Sequence, residues 1–461
     1  MSTMNRNGAS QIRLSKEHLG MCRVADIPAE SLQEAARLLQ KNHNEAHIFW
    51  REANGHNHTV HNLLTSLALG ASPSELQQAF EDDEKDHSRP KPAADESAVR
   101  EMVDAEKFYE RLGQDAQYSN FLAFFEQEID AKGWKSVINE YCFSRTRNAD
   151  ALLARLFDGA FHPIIHLGLG VEFELPSIIA EGLAQAATDR SLGVDVYFRN
   201  CEQEAAAAKS TSGATSNTKP LVELFHEAYA NEGIRHAARW EDVGPSKMSR
   251  GVLGRGAQEI VRLGAQFRVD PETLEQRTAE MISCCAYMAG AAQRPGKPRK
   301  IDFFYMHDVT GSIFLTVLIR QPWISAADKV RLVEHKARLD LVWYATCGAA
   351  QLNIDDVKNY DGGPSASMDW DALFRAINTM HDDGHVAKFA RALKNGEEVS
   401  KKFEEANGSS FPVKGDMWLR LARMAYDTNL NLSPEAKWIF FTGFDQPWSQ
   451  VPLVKDVNVV G

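Results

Sequence analysis

Apolar residues recur at helical spacing along nearly the whole of this 461-residue chain, and strand-like alternation is scarce. Pro28 to Asn44 reads as an amphipathic helix with Leu32, Ala35, Ala36, Leu38 and Leu39 on one stripe. His61 to Leu69 continues at the same spacing until Gly70 and Pro73 stop it, and Ser74 with Gln77 opens another helix in capping-box fashion. Phe161 to Ala187 is long and largely apolar, and further helices are expected over Pro271 to Met288, Ala326 to Thr346 and His385 to Lys394. The best strand candidates, Val194 to Phe198 and Lys300 to Tyr305, are both short. The pattern predicts a mainly α protein: one compact, bundle-like helical domain over residues 1–461, with few short strands. Glu81 to Glu96, acidic and proline-punctuated, reads as an exposed linker. Glu204 to Lys219, an alanine run followed by small polar residues, reads as a mobile surface loop.

Within this helical pattern, six histidines fall in four stretches: His58 and His61, His162 and His166, His307, and His385. Residues three and four apart are neighbours on a helix surface, so each pair presents two imidazoles in one direction. A helix bundle builds a metal site by pointing such pairs inward from different helices. A lone histidine on an apolar face is ordinarily a satisfied core residue, but two close pairs in apolar helices point to a metal in the helical core. No H-E-x-x-H arrangement occurs, which argues against hydrolytic zinc, and many histidines with few carboxylates suit oxygen chemistry at iron or copper.

Two lysines belong to the same argument. Lys388 lies one turn after His385, and Lys336 lies between Leu332 and Leu339 on its own helix side. Burial disfavours the ammonium form. A neutral amine beside a metal can capture carbon dioxide as a carbamate and become an anionic oxygen ligand. The bland alternative is a salt bridge, to Asp382 or Asp383 for Lys388 and to Glu334 or Asp340 for Lys336.

Charge and motifs narrow the classes further. A net charge of -12 without a basic stripe argues against nucleic acid or an anionic membrane as partner. No apolar run reaches the ~20 residues needed to span a bilayer, and neither end carries a targeting signal, so a cytoplasmic location is expected. The six cysteines form no C-x-x-C and read as reduced, small apolar residues. Gly168-Leu169-Gly170 lacks the third glycine of a dinucleotide fingerprint, and no G-x-S-x-G occurs.

The segments His56-Asn57-His58-Thr59-Val60-His61, His162-Pro163-Ile164-Ile165-His166, His307-Asp308-Val309-Thr310, Lys336-Ala337-Arg338-Leu339-Asp340 and Asp382-Asp383-Gly384-His385-Val386-Ala387-Lys388 resemble the questin oxidase-like family, over about Asn42 to Arg391. The resemblance implies fungal polyketide metabolism, in which members open anthraquinone rings oxidatively to benzophenone-type products. Some members are described as NADPH-dependent Baeyer–Villiger oxidases; others resemble mononuclear non-haem iron dioxygenases that hold the metal with histidines and a carboxylated lysine. It implies an anthraquinone or its hydroquinone and O2 as reactants, Fe(II) as cofactor and NADPH as an optional external reductant. Carried over by position, the metal ligands are expected among His58, His61, His162, His166, His307 and His385. Lys388 comes before Lys336 as the carbamate, and Asp340 and Arg391 orient a ligand or a substrate phenolate. Octahedral iron cannot take all six imidazoles together with a lysine carbamate and still bind oxygen, so at least two must stand outside the coordination sphere or face the substrate. Two competing expectations are metal-free oxidation with the histidines as bases, and a non-catalytic protein that binds aromatic ligands.

Overall fold

The computed structural model describes residues 8–50, 55–87, 89–212 and 218–453. The described residues are mostly helical, and their only β pairing is three isolated bridges, Ala46 with Pro90, Phe49 with His56, and Asp302 with Ile439. No helix among them is long and apolar enough to cross a membrane. Backbone contacts separate two compact units: residues 1–191 with 320–324 and 374–391, and residues 192–319 with 325–373 and 392–461.

The first unit is built on α1 (Ala29–Glu45), α2 (Thr59–Ala68), α3 (Pro73–His87), α4 (Tyr118–Lys132), α5 (His162–Glu172) and α6 (Pro176–Thr188). Each follows from its sequence. α1 starts behind the extended Pro28 and buries Leu32, Ala35, Leu38, Leu39 and His43 along one stripe. α2 is buried on every side, Thr59 to Ala68, as expected of a helix with no charged residue. α5 and α6 carry proline in their first turns, where its missing N–H costs nothing, and are buried almost throughout.

Close approach of α5 and α6 depends on Gly182. A Cβ at that position would stand 2.6 Å from the Leu167 backbone nitrogen. The glycine lets the two backbones come near enough for Glu181, its neighbour on α6, to reach His166 on α5 at 2.7 Å.

The second unit centres on α7 (Leu274–Ala291), α8 (Phe303–Ile319) and α9 (Ala326–Thr346), which pack on one another. Ser325 caps α9 by accepting from the Asp328 N–H. α10 (His385–Ser400) begins in the first unit and ends in the second.

The mainly α expectation holds, but several segments differ. Val194 to Phe198 is the start of a helix, Val194–Ser212, and Lys300 to Tyr305 makes one isolated bridge before α8 begins. The apolar run from Phe161 to Ala187 is two helices, because Glu174 takes a left-handed φ of 49° and Pro176 bars its predecessor from the α region. The expected linker over 81–96 is helical in its first part: α3 continues to His87, drawn out by side-chain hydrogen bonds from Gln77 to Glu81 (2.6 Å) and Gln78 to Asp82 (2.9 Å). In the expected loop over 204–219, Glu204 to Ser212 is helical and residues 213–217 lie outside the described residues.

Gly182→Ala is expected to cost about 1–3 kcal/mol through overpacking against α5. Denaturant titration checks this, and an unchanged midpoint would show that α5 and α6 do not need the glycine.

Candidate metal centre

Three predicted ligands stand at helix N-termini in the first unit. His58 precedes the first residue of α2, held by Asn57, whose side chain donates to Asn42 Oδ1 (2.8 Å) and accepts from the Thr59 N–H (2.9 Å). His162 opens α5 immediately after a left-handed turn in which Gly159, Ala160 and Phe161 have φ of 55°, 51° and 66°. Two non-glycine residues in that region store strain, and such strain persists only where the surroundings impose it. A Cβ on Gly159 would meet Asp189 Oδ2 at 2.5 Å. His385 opens α10 behind Asp382-Asp383-Gly384, where the Gly384 N–H donates to Asp382 Oδ1 at 2.6 Å. The positive end of a helix dipole disfavours imidazolium at each of these positions.

One ring nitrogen from each of His58, His162 and His385 lies within 4.8 Å of the others. His58 Nε2 and His162 Nε2 are 2.8 Å apart. Two nitrogens bound to one cation at the usual ~2.1 Å sit about 3 Å apart when adjacent, so the spacing suits shared coordination. The opposite nitrogens are tied. His162 Nδ1 donates to the Gly159 carbonyl at 2.6 Å, the product of the strained turn. Asp383 spans the other two rings: Oδ1 hydrogen-bonds His385 Nδ1, and Oδ2 stands 3.2 Å from His58 Nδ1. An acceptor at Nδ1 fixes the proton there and turns the Nε2 lone pair inward, the arrangement that metal-ligating histidines adopt.

Electrostatics reinforce the geometry. Burial holds His58 well below its ordinary pKa of 6.5, with the charge of Lys388 adding to it, and burial likewise lowers His385. Both rings are therefore neutral, as ligands must be. Asp383 remains ionised: against the cost of burial, His385 and His58 hold its pKa well below the carboxylate range. Lys388 is buried, its Nζ has no hydrogen-bond partner among the described residues, and burial lowers its pKa. The bland alternative of a direct salt bridge to Asp382 or Asp383 is not formed.

The other predicted residues are placed as follows. Each histidine pair divides, one ring going to the centre and the other away from it. His61 and His166 meet one another edge to face at 5.2 Å between ring centroids, and His166 Nε2 bonds Glu181. Arg391 pairs with Glu172 and donates to the Met21 carbonyl. In the second unit His307 is buried on α8, its Nδ1 donating to the Phe303 carbonyl at 2.8 Å. Lys336 is fully buried against Asp340, with Asp308 at 3.8 Å, and Asp340 also accepts from Cys285 at 3.1 Å. Although burial opposes it, the charge of Asp340 raises the pKa of Lys336, which stays an ammonium ion and so is unreactive toward carbon dioxide.

Sequence reasoning missed Asp383, whose signal was its place two residues before His385. It also missed a buried chain of carboxylates and imidazoles. His43 Nδ1 contacts Glu181 Oε1 at 2.5 Å, and His43 Nε2 contacts Glu126 Oε1 at 2.9 Å. These residues are far apart in sequence and carry no motif.

A family model described as questin oxidase-like matches residues 55–393. This chain belongs to the questin oxidase-like family. It is 53% identical over 443 residues to a protein of Aspergillus terreus named questin oxidase, covering 96% of this chain and 98% of that protein. It is 51% identical over 450 residues to Baeyer-Villiger oxidase ptaJ of Pestalotiopsis fici (97% and 100% covered), and 51% identical over 448 residues to Baeyer-Villiger monooxygenase dmxR6 of a Cryptosporiopsis species (96% and 99%). The region matched by the questin oxidase-like model contains His58, His162, Asp383, His385 and Lys388.

Asp383→Asn should weaken binding of Fe(II) or Zn(II) about 10–100-fold, since the amide orients two imidazoles less firmly. Metal titration reads this directly, and unchanged affinity would remove Asp383 from the centre. The His43–Glu181 pair sets a pH window for stability. Glu126 and Glu181 raise His43 from 6.5 to about 9 despite burial, so its contribution is complete below 6.5 and is lost as pH rises through about 9. His166 and His43 lower Glu181 from 4.5 to about 2 despite burial, so its contribution is present above 4.5 and is lost as pH falls toward about 2. Unfolding midpoints should therefore be highest between pH 4.5 and 6.5 for this pair, and His43→Gln should flatten the decline between pH 6.5 and 9. A variant with the wild-type slope would contradict the assignment.

Proposed function

We propose that this chain is an oxidoreductase of fungal polyketide metabolism that opens the ring of an anthraquinone, or of its hydroquinone, with O2 to give a benzophenone-type product. The observation that carries the reading is the convergence of His58, His162 and His385, three buried imidazoles, of which His162 and His385 have Nδ1 held by a hydrogen bond and His58 has Nδ1 3.2 Å from Asp383 Oδ2. We assign the group they hold as a mononuclear non-haem iron. His307 is added to the set on its own chemistry, since the Phe303 carbonyl holds the proton on Nδ1 and leaves Nε2 as its lone-pair nitrogen. Lys388 is the carbamate candidate: a buried amine with a lowered pKa and no hydrogen-bond partner among the described residues. Lys336, held as an ammonium ion by Asp340, is set aside for that role. When bound, ferrous iron supplies Lewis acidity and one-electron chemistry toward dioxygen.

The chain's own residues then have defined tasks. Asp383 and the Gly159 carbonyl fix the imidazole tautomers and directions. Burial keeps bulk water from the oxidised carbon centre. Carbamate formation joins the Lys388 nitrogen to carbon dioxide and releases one proton to solvent. Asp340 and Arg391, each in a buried ion pair, keep in this reading the role of orienting a ligand or a substrate phenolate.

A second reading, NADPH-dependent Baeyer–Villiger oxidation without a metal, is favoured by the names of two of the relatives. Oxygen uptake with candidate anthraquinones distinguishes the two. Chelated protein should lose at least 90% of its activity (about tenfold) and regain it with Fe(II), and bicarbonate labelled with carbon-13 should give a carbamate resonance that Lys388→Met abolishes. Full activity in a metal-free preparation would rule the iron reading out.

A further inference from the structure

The chain of acids and imidazoles missed by sequence runs through five helices of the first unit. Glu126 on α4 is its outer end, with a side chain 22% exposed. His43, in the last turn of α1, touches Glu126 with Nε2 (2.9 Å) and Glu181 with Nδ1 (2.5 Å). Glu181 on α6 uses its second oxygen on His166 Nε2 at 2.7 Å. The side chains of His43, Glu181 and His166 are at most 2% exposed. His166 Nδ1 has no hydrogen-bond partner among the described residues, and the ring meets His61 on α2. His61 in turn lies 5.8 Å from His162 and 6.0 Å from His58 by ring centroids, and both of its nitrogens also lack a partner among the described residues.

A salt bridge needs one acid and one base. Here two carboxylates and two imidazoles alternate, and each interior member uses one heteroatom toward the surface and the other toward the centre. That connectivity is what proton hopping requires, because each group must accept on one atom and release from another. We propose that Glu126, His43, Glu181 and His166 form a proton relay between solvent and the interior beside the metal centre.

The transfer balances as follows. His43, an imidazolium between two carboxylates, releases its Nδ1 proton to Glu181 Oε1 and, after its ring turns, recovers a proton from Glu126, which takes one from solvent. Rotation of the Glu181 carboxyl group carries that proton to His166 Nε2 as His166 releases its Nδ1 proton toward His61. One proton enters, one leaves, and rotation or reverse transfer resets the tautomers. Ring opening moves protons between the substrate's phenol groups and the oxygen atoms being incorporated, so under the proposed oxidase function the relay exchanges them with solvent. None of the four residues is needed to hold the metal.

The test uses two readouts on the full chain with His43→Gln and Glu126→Gln. A glutamine hydrogen-bonds but does not shuttle a proton. In protein with nitrogen-15 histidine, exchange of the His166 ring N–H with water should slow at least tenfold in both variants, with unchanged unfolding cooperativity. This readout needs no turnover, so it judges the relay even if the oxidase reading fails. In active enzyme, kcat should fall at least tenfold with KM and bound metal unchanged. The solvent deuterium isotope effect on kcat should rise above about 2, and added imidazole should restore part of the rate. Exchange and isotope effect equal to wild type in folded variants would overturn the relay and leave the four residues a buried ion-pair network. Loss of activity together with metal, with exchange unaltered, would overturn it as well. Where a His43 substitution unfolds the protein, Glu126→Gln, at the half-exposed end, carries the same test.

Discussion

The structure of the first unit depends on one electrostatic demand: neutral imidazoles must be held in a buried space with their lone pairs facing each other. Such an arrangement is unfavourable by itself. Two Nε2 atoms 2.8 Å apart repel unless a proton or a cation lies between them, and protonation is opposed by burial, by Lys388 and by the ends of three helices. The anchors at Nδ1 remove the easy escape, which is rotation of each ring toward a carbonyl or toward solvent. A cation at the focus would resolve the conflict, as would the neutral tautomer in which one Nε2–H donates to the other Nε2.

Local backbone shape serves that demand. His162 faces the centre because Gly159, Ala160 and Phe161 accept left-handed φ values and place a carbonyl behind its ring. His58 and His385 are likewise first or preceding residues of helices, with polar side chains of the adjoining turn holding them. Ligands at helix starts are aimed by turns whose dihedrals are fixed, and they sit on rigid elements. The fully buried α2, α5 and α6 then keep those starts in register, with Gly182 permitting the closest contact.

Much of this was legible in the sequence, and the reasons for the failures are physical. Helical periodicity revealed the class of fold because apolar spacing records which face is buried. It misread Phe161 to Ala187 because a buried run carries no polar face to mark where one helix ends. It misread Glu81 to His87 because charge and proximity to proline resemble a linker, while i,i+4 hydrogen bonds extend the helix. The i,i+3 and i,i+4 histidine pairs correctly marked the region, but spacing alone cannot say that one ring of each pair turns to the centre and the other to Glu181 or to its neighbour. His58 lies outside α2, before its first residue, so the i,i+3 geometry with His61 does not apply. Lys388 and Lys336 looked equivalent by pattern. They differ in whether a carboxylate reaches the amine, and that depends on tertiary packing.

Membership of the questin oxidase-like family and the arrangement of these residues bear on the same question from different sides: the first narrows the class of reaction, and the second says what the chain can hold. The most direct test of the central claim is X-ray absorption at the metal edge of protein purified after expression in iron-replete medium, compared with His162→Ala. The account requires about one iron per chain with imidazole nitrogens at about 2.1 Å, and loss of most of that signal in the variant. Iron absent from fully active protein, or an identical spectrum in the variant, would contradict it.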